Sequence, residues 1–214
     1  MIGYRTSTHA FVIKDKTKTY HHYDWKSEVP GWEEGFGEKV LGQGWSGHHG
    51  NKRGQGVRGI IPDDVKDHPI VRGIKPGTLW GPTHNYTVDL PMKDKGNTTI
   101  ALGELMDGKK ADSPPTKRTQ KNDPMMPLAW TRTYEIEEGK SGRVFATTMG
   151  AARDMAPEGS RRMFVNAAYW ALGMEGAIPA EGAKVDIVGT YAPSEKGMKE
   201  WVRGKKPSDY VLEK

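Results

Sequence analysis

The spacing of apolar residues changes character along this chain. In "SRRMFVNAAYWALGM" the residues Met163, Phe164, Ala167, Ala168, Ala171 and Leu172 recur at i, i+1, i+4, i+5, i+8 and i+9. That is one stripe at helical period, and it predicts an amphipathic helix. Gly159-Ser160 supplies a start and Gly173 a stop. Elsewhere the apolar residues come in short β-branched runs. "GVRGIIP" (56–62) reads as a strand stopped by Pro62, and "NTTIALGEL" (97–105) as a second. "PLAWTRTYEIEEGKSGRVFATTMG" reads as two strands, 128–136 and 142–149, joined by the turn chemistry of "EEGKSG". "AKVDIVGTY" (183–191) reads as a last strand. At the other end, residues 2–5 read as a strand that breaks within "GYRTSTHAF" into a polar turn and then a helix.

The intervening segments carry loop signals. Residues 12–29 are polar and aromatic, and read as loop. "GWEEGFGEKVLGQGW" predicts a short helix near 32–41 ended by Gly42. In "DDVKDHPIVRGI" Pro69 keeps His68 out of a helix, so the segment reads as turns or a short helical piece. Residues 107–127 are charged and contain Pro-Pro, which predicts a mobile loop. Strands separated by helical segments and long loops predict one α/β domain over residues 1–190, followed by a surface arm over 191–214. No internal repeat and no second domain is visible.

Composition narrows the class. Hydrophobic residues make up 35% and mean hydropathy is −0.73. The 27 glycines and 14 prolines are scattered, which suits a loop-rich globular domain. The net charge of +5 arises from 32 basic against 27 acidic residues, dispersed and without interleaved aromatics, so it reads as ordinary surface rather than a nucleic-acid interface. No run approaches the ~20 apolar residues of a membrane helix. Tyr4, Arg5 and His9 interrupt the opening apolar run, so no signal peptide is visible. The absence of cysteine excludes disulfides, thiolate metal sites and a cysteine nucleophile, and leaves the compartment open.

Candidate chemistry gathers at three places. The strand–turn–helix order at residues 2–15 fits the C-terminal edge of a parallel strand, where open α/β sheets hold their ligands. Its turn offers Thr6, Ser7 and Thr8, with His9 adjacent; the hydroxyls read either as a nucleophile beside a base or as helix N-caps. "GWSGHHG" sets two imidazoles, His48 and His49, in a Gly-flanked loop, where one ring can enter a pocket while the other faces away. With His9 they would give three nitrogen donors for a divalent metal or a general base beside sugar hydroxyls; alternatively they cap backbone groups. No HxxxH spacing accompanies them, and no cofactor is predicted. Trp45 and Trp130 offer flat faces suited to stacking on sugar rings, or pack in the core. Arg132 follows Trp130 and is read on the opposite strand face, and Arg153 with Asp154 would line the same rim or pair with each other. Trp170 reads as packing, and His21-His22 as surface.

Taken in order, "GYRTSTHAF", "VLGQGWSGHHG", "DHPIVRGI", "PLAWTRTYEIEEGKSGRVFATTMGA" and "RRMFVNAAYWALGME" make the chain resemble the ThuA-like (trehalose-utilisation) family over roughly residues 2–190. The resemblance implies a flavodoxin-like, class I glutamine amidotransferase-like three-layer fold, N-terminally truncated, since members usually carry a further half-sheet before the elbow strand. It therefore implies a chain that is marginally stable, pairs with a second copy as a homodimer, or depends on the missing piece. In the amidotransferase fold the elbow holds a cysteine, so thiol-based glutamine hydrolysis is excluded here. The resemblance places Arg5 and His9 in the family's pocket, with Arg5 as a fixed cation for a carboxylate or for sugar oxygens. It implies a small-molecule carbohydrate partner, with no nucleic acid and no membrane. His9 would be the favoured acid/base, and Arg5, His48, His49, Trp45 and Arg132 would position the ligand. The reaction would be isomerisation or hydrolysis of a keto-sugar or glycoside. Where the family often has a histidine after the strand ending in Gly150, this chain has Ala151 and Ala152, which favours the alternative of a non-catalytic saccharide- or protein-binding module.

Overall fold

A computed structural model describes residues 1–193, 204 and 206–211. Six strands form one sheet: β1 (Ile2–Tyr4), β2 (Gln55–Ile60), β3 (Trp80–Gly81), β4 (Thr98–Asp107), β5 (Met126–Glu135) and β6 (Ser141–Thr147). Their order across the sheet is β1-β6-β5-β4-β2-β3. The one described helix of regular α type and length, α1 (Glu158–Ala171), packs against it. The protein is thus of mixed α/β construction.

Only β1 and β6 run parallel; the other pairings are antiparallel. The sequence reason lies in the connections. The short link "IEEGK" (136–140) and its turn suffice to reverse β5 into β6, whereas a parallel step needs a crossover of about a dozen residues or more. β1 stands at the sheet edge with β6 as its single strand neighbour. The register Ile2↔Phe145, Gly3↔Ala146 and Tyr4↔Thr147 brings both strands to their C-terminal ends together, so the turns that follow them share one rim.

Alternation along β6 sends Phe145 to one face and Val144 and Ala146 to the other. The Phe145 face is covered by Met163 and Ala167 of α1, with Val57, Leu79, Ile100 and Leu128. The opposite face packs on Trp32, Val40, Leu41, Val88 and Met92 from loops and short turns, with Trp130 of β5 among them. The expected apolar stripe of α1 is buried at Met163 and Ala167, while Leu172 at its end is exposed. The helix begins at Glu158 after Pro157, and Gly173 (φ 73°) ends it in the left-handed conformation.

Four sequence expectations are corrected. The helix expected after the polar turn does not form, and residues 10–15 carry no regular structure. The helix near 32–41 shrinks to a wide turn over 35–41, which ends, as expected, at Gly42 (φ 84°). A Cβ at Gly42 would lie 2.2 Å from Asn97 Oδ1 and 2.8 Å from Arg132 Cδ, so glycine is required twice over. Residues 183–191 form no strand; they run along α1, where Arg161 Nε donates to Val185 O (2.9 Å) and Arg162 Nη1 to Ala183 O (2.5 Å), with no ladder partner among the described residues. The charged segment 107–127 doubles back along β4: Thr116 N donates to Leu105 O, and Asn122 bonds both the N–H and the carbonyl of Leu105. The arm expected over 191–214 falls largely outside the described residues. Among the described residues no helix is long and apolar enough to cross a membrane.

A buried amide locks the helix to the loops beside it. Asn166 Nδ2 donates to Ile70 O (3.0 Å) and Arg72 O (2.9 Å), and its Oδ1 accepts from Ala183 N (3.0 Å). Truncating this side chain to a methyl group would leave three backbone groups without partners, at about 1–3 kcal/mol each. For Asn166→Ala we expect a loss of about 3 kcal/mol or more and a fall in Tm on the order of 10 °C, read by thermal and urea denaturation. A fall of only about a degree would show that water replaces the amide.

Candidate functional site

The site is built where β1 ends. Tyr4 is still extended (φ −139°, ψ 148°), and the chain then winds into a single tight turn, Arg5–His9. Arg5 takes φ +49°, one of two described non-glycine residues with a positive φ. An arginine gains nothing intrinsic from that conformation, so its surroundings must hold it there. Part of the holding is visible: Arg5 Nη1 donates to Thr83 Oγ1 (3.2 Å) and His84 O (3.3 Å). Its guanidinium carbon lies 5.2 Å from the centre of the Tyr86 ring. Gly3 lets the turn close, since a Cβ there would meet Leu41 at 2.9 Å and Ser7 Oγ at 3.0 Å.

Two further segments meet the turn. Residues 47–49 and 85–87 pair through His49 N to Asn85 O (3.2 Å) and Thr87 N to Gly47 O (3.0 Å). This short bridge sets His48 opposite Tyr86, ring centres 5.2 Å apart. His84 Nε2 and His48 Nδ1 share a hydrogen bond of 2.9 Å. Trp45 closes the group, 4.9 Å from His9 and 5.7 Å from His48 between ring centres. Trp25 stands edge-on to Trp45 at 5.5 Å, and His9 lies 5.8 Å from Tyr86. One guanidinium, three imidazoles and three larger aromatic rings therefore form one cluster, with His84 and Tyr86 buried at its base.

Their charges follow from the surroundings. Burial, and then the nearby Arg5 cation, push His84 down to about 4. Burial first and Arg5 second lower His9; burial, Lys52 and Arg5 lower His48. All three are neutral imidazoles near pH 7, able to accept a proton rather than carry one. Burial raises the Tyr86 phenol, which stays protonated.

Beneath this surface lies a fully buried carboxylate. Asp154 accepts from Thr83 N (3.2 Å) and Thr83 Oγ1 (2.6 Å), and from the N–H groups of Gly150 (3.1 Å) and Ala151 (2.9 Å). The Thr83 hydroxyl accepts from Arg5 and donates to Asp154, which links the strained arginine to the turn after β6. Asp154 thus neither lines a rim nor pairs with Arg153.

The structure brings together only some of the residues the sequence singled out. Arg5, His9, Trp45 and His48 meet. His49 turns away: it is buried and its Nε2 lies 2.7 Å from Lys121 O, so the nitrogen triad of His9, His48 and His49 is not assembled. Thr6 is exposed on the turn; Thr8 is buried with its Oγ1 3.4 Å from His9 Nδ1; Ser7 Oγ is buried against Gly3. None of the three hydroxyls stands at the strained tip, which Arg5 occupies. Trp130 has no exposed surface and donates its indole N–H to Leu41 O (2.7 Å), so it offers no face to a sugar. Arg132 lies on the same side of the sheet as Trp130, its Nη1 on Glu38 O (3.2 Å), and takes no part in the site. Arg153 sits in the turn Ala152–Met155 next to Asp154.

His84, Tyr86 and Trp25 are the additions. The first two are legible in "GPTHNYT", where His and Tyr two apart on an extended segment share a face. A different cluster has metal-like composition: oxygens of Glu34, Glu38 and Asp89 lie within 4.8 Å of one another. Lys95 Nζ already serves it, at 2.9 Å from Glu38 and 3.2 Å from Asp89. A groove of about 580 Å³ lined by Pro62, Leu90, Met92, Leu102, Met125 and Pro127 includes none of the site residues. No family model, curated protein or solved structure matches the chain.

The depressed imidazoles fix a sign for acid stability. In the unfolded chain His84 takes up a proton near pH 6.5, but in the folded protein only near pH 4. Stability is therefore complete above about pH 6.5 and falls as the pH drops toward 4, by roughly 3 kcal/mol for this residue alone. Denaturant titrations from pH 8 to 4 should show the decline, and His84→Asn should lessen it, with the other lowered imidazoles leaving a remainder. A flat profile for the unaltered protein would contradict the buried neutral assignment.

Proposed function

We propose that the chain is a ThuA-like protein of carbohydrate metabolism that binds a sugar or keto-sugar derivative on the Arg5–His9–His48 surface and isomerises or hydrolyses it. The single observation that carries this reading is the convergence of neutral imidazoles, one guanidinium and flat aromatic rings at the end of a parallel strand pair. Open α/β sheets hold ligands at such ends, and a flavodoxin-like arrangement places its elbow there. Trp45 supplies an apolar face for the C–H side of a sugar ring, with Tyr86 buried behind it, while His48 and Arg5 supply donors and acceptors for its hydroxyls.

His9 is the acid/base of this reading. Its Nδ1 faces Thr8 Oγ1, and its Nε2 has no protein partner among the described residues. A neutral imidazole with a lowered proton affinity accepts a proton at pH 7 and returns it, which serves removal of a proton beside a carbonyl or from an attacking water. His48 is backed by His84, whose hydrogen bond fixes the tautomer and aim of the His48 ring. Arg5 holds a developing negative oxygen without proton exchange.

A screen of keto-sugars and glycosides tests this. Turnover by the unaltered protein should fall about 100-fold or more in His9→Ala, with the fold retained by circular dichroism. Saccharide binding without turnover in either protein would favour a non-catalytic module. Absence of both binding and turnover would end the saccharide reading.

A further inference from the structure

The charge around this surface is one-sided. Among the described residues the cations that act on the three rings are Arg5, Lys52 and Lys109, and no carboxylate is among the groups that act on them. Arg5 is half-buried and has no carboxylate within ion-pair distance among the described residues. The acid it reaches through the Thr83 hydroxyl, Asp154, already accepts four hydrogen bonds. Both hydrogens of Arg5 Nη1 are spent on Thr83 and His84, whereas Nε and Nη2 have no partner among the described residues. Nε–H and one Nη2–H point in parallel from a guanidinium, and that edge is the geometry that grips a carboxylate with two hydrogen bonds.

The backbone adds a second, independent sign. The chain holds Arg5 at φ +49°, where an arginine is disfavoured, and anchors one nitrogen from behind. Strain of this sort persists only where the surroundings over-determine it. The result is a guanidinium fixed in advance, its bidentate edge unused, beside rings suited to a sugar.

We infer that the ligand carries a carboxylate seated on the Nε–Nη2 edge of Arg5, which makes it an acidic sugar, a uronate or an aldonate, rather than a neutral one. The inference rests on the saccharide reading above and narrows it. Among the described residues Arg5 is the one cation hydrogen-bonded into the turn itself, with Lys52 exposed on a neighbouring loop, and one anchored guanidinium matches a monoanion. A phosphate, with close to two charges near neutral pH, asks for a second buried cation that the described residues do not supply at this position.

Calorimetric titration of the whole chain with D-glucuronate, D-gluconate, D-glucose, D-glucose 6-phosphate and acetate tests it. We expect glucuronate or gluconate to bind about 10-fold or more tightly than glucose, and this preference to vanish in Arg5→Asn. Asparagine tolerates positive φ and carries no charge, so the turn is kept. Because that variant also loses the bonds to Thr83 and His84, the unaltered protein gives a second reading: raising NaCl from ~50 to ~500 mM should weaken the acidic sugar several-fold and leave glucose unchanged. Equal affinity for glucose and glucuronate would overturn the inference and keep the saccharide reading. Acetate binding as tightly as the acidic sugars would keep the carboxylate seat and overturn the saccharide reading. Preference for glucose 6-phosphate would replace the carboxylate with a phosphate, and no binding by any probe would overturn both.

Discussion

A carboxylate without solvent contact organises this protein's upper rim. A buried charge is tolerated only when hydrogen bonds replace the water it has lost. Asp154 achieves this with four donors from two distant stretches: the backbone and hydroxyl of Thr83, and the backbone of Gly150 and Ala151. Those stretches follow β3 and β6, which lie toward opposite sides of the sheet order. The carboxylate therefore gathers chain that the strands themselves leave apart. Through Thr83 it also fixes Arg5, whose Nη1 in turn holds the carbonyl of His84, the residue whose imidazole backs His48. If the charge were removed, the loop 81–87 and the turn after β6 would lose the anchor they share.

The mixed sheet explains why the site stands at an edge. β1 and β6 are the one parallel pair in the sheet, and the two end together. An antiparallel pair would have placed the end of one strand beside the start of the other. The remaining strands supply breadth and core, with α1 covering one face and loop-borne aromatic and aliphatic residues the other. The division of labour is clear in the numbering: the site residues come from residues 5–86, whereas the helix and the three longest strands come later.

Much of this is readable where a local rule decides the outcome. The stripe of α1, the β5–β6 hairpin and the stop at Gly42 each depend on residues close in sequence, and each appears within a few positions of its expected place. The failures are cases in which distant partners decide. "AKVDIVGTY" has strand composition, yet no open ladder edge receives it, and arginines of α1 tether it instead. Trp130 has the flat face a sugar would stack on, but its strand position turns it into the core, an outcome set by packing across the sheet. His48 and His49 differ by one residue and face opposite ways, as alternation requires, although alternation alone does not say which ring meets the site. The spacing of His84 and Tyr86 puts both on one face of an extended stretch, but nothing in that stretch says which segment the face meets.

The arrangement of indoles has a practical consequence. Two of the seven tryptophans, Trp25 and Trp45, sit against the imidazoles, and Trp130 lies sealed in the core. Ultraviolet emission from the half-buried pair senses the polarity and ring charge around it, so an occupant of the surface alters the protein's own emission without a dye.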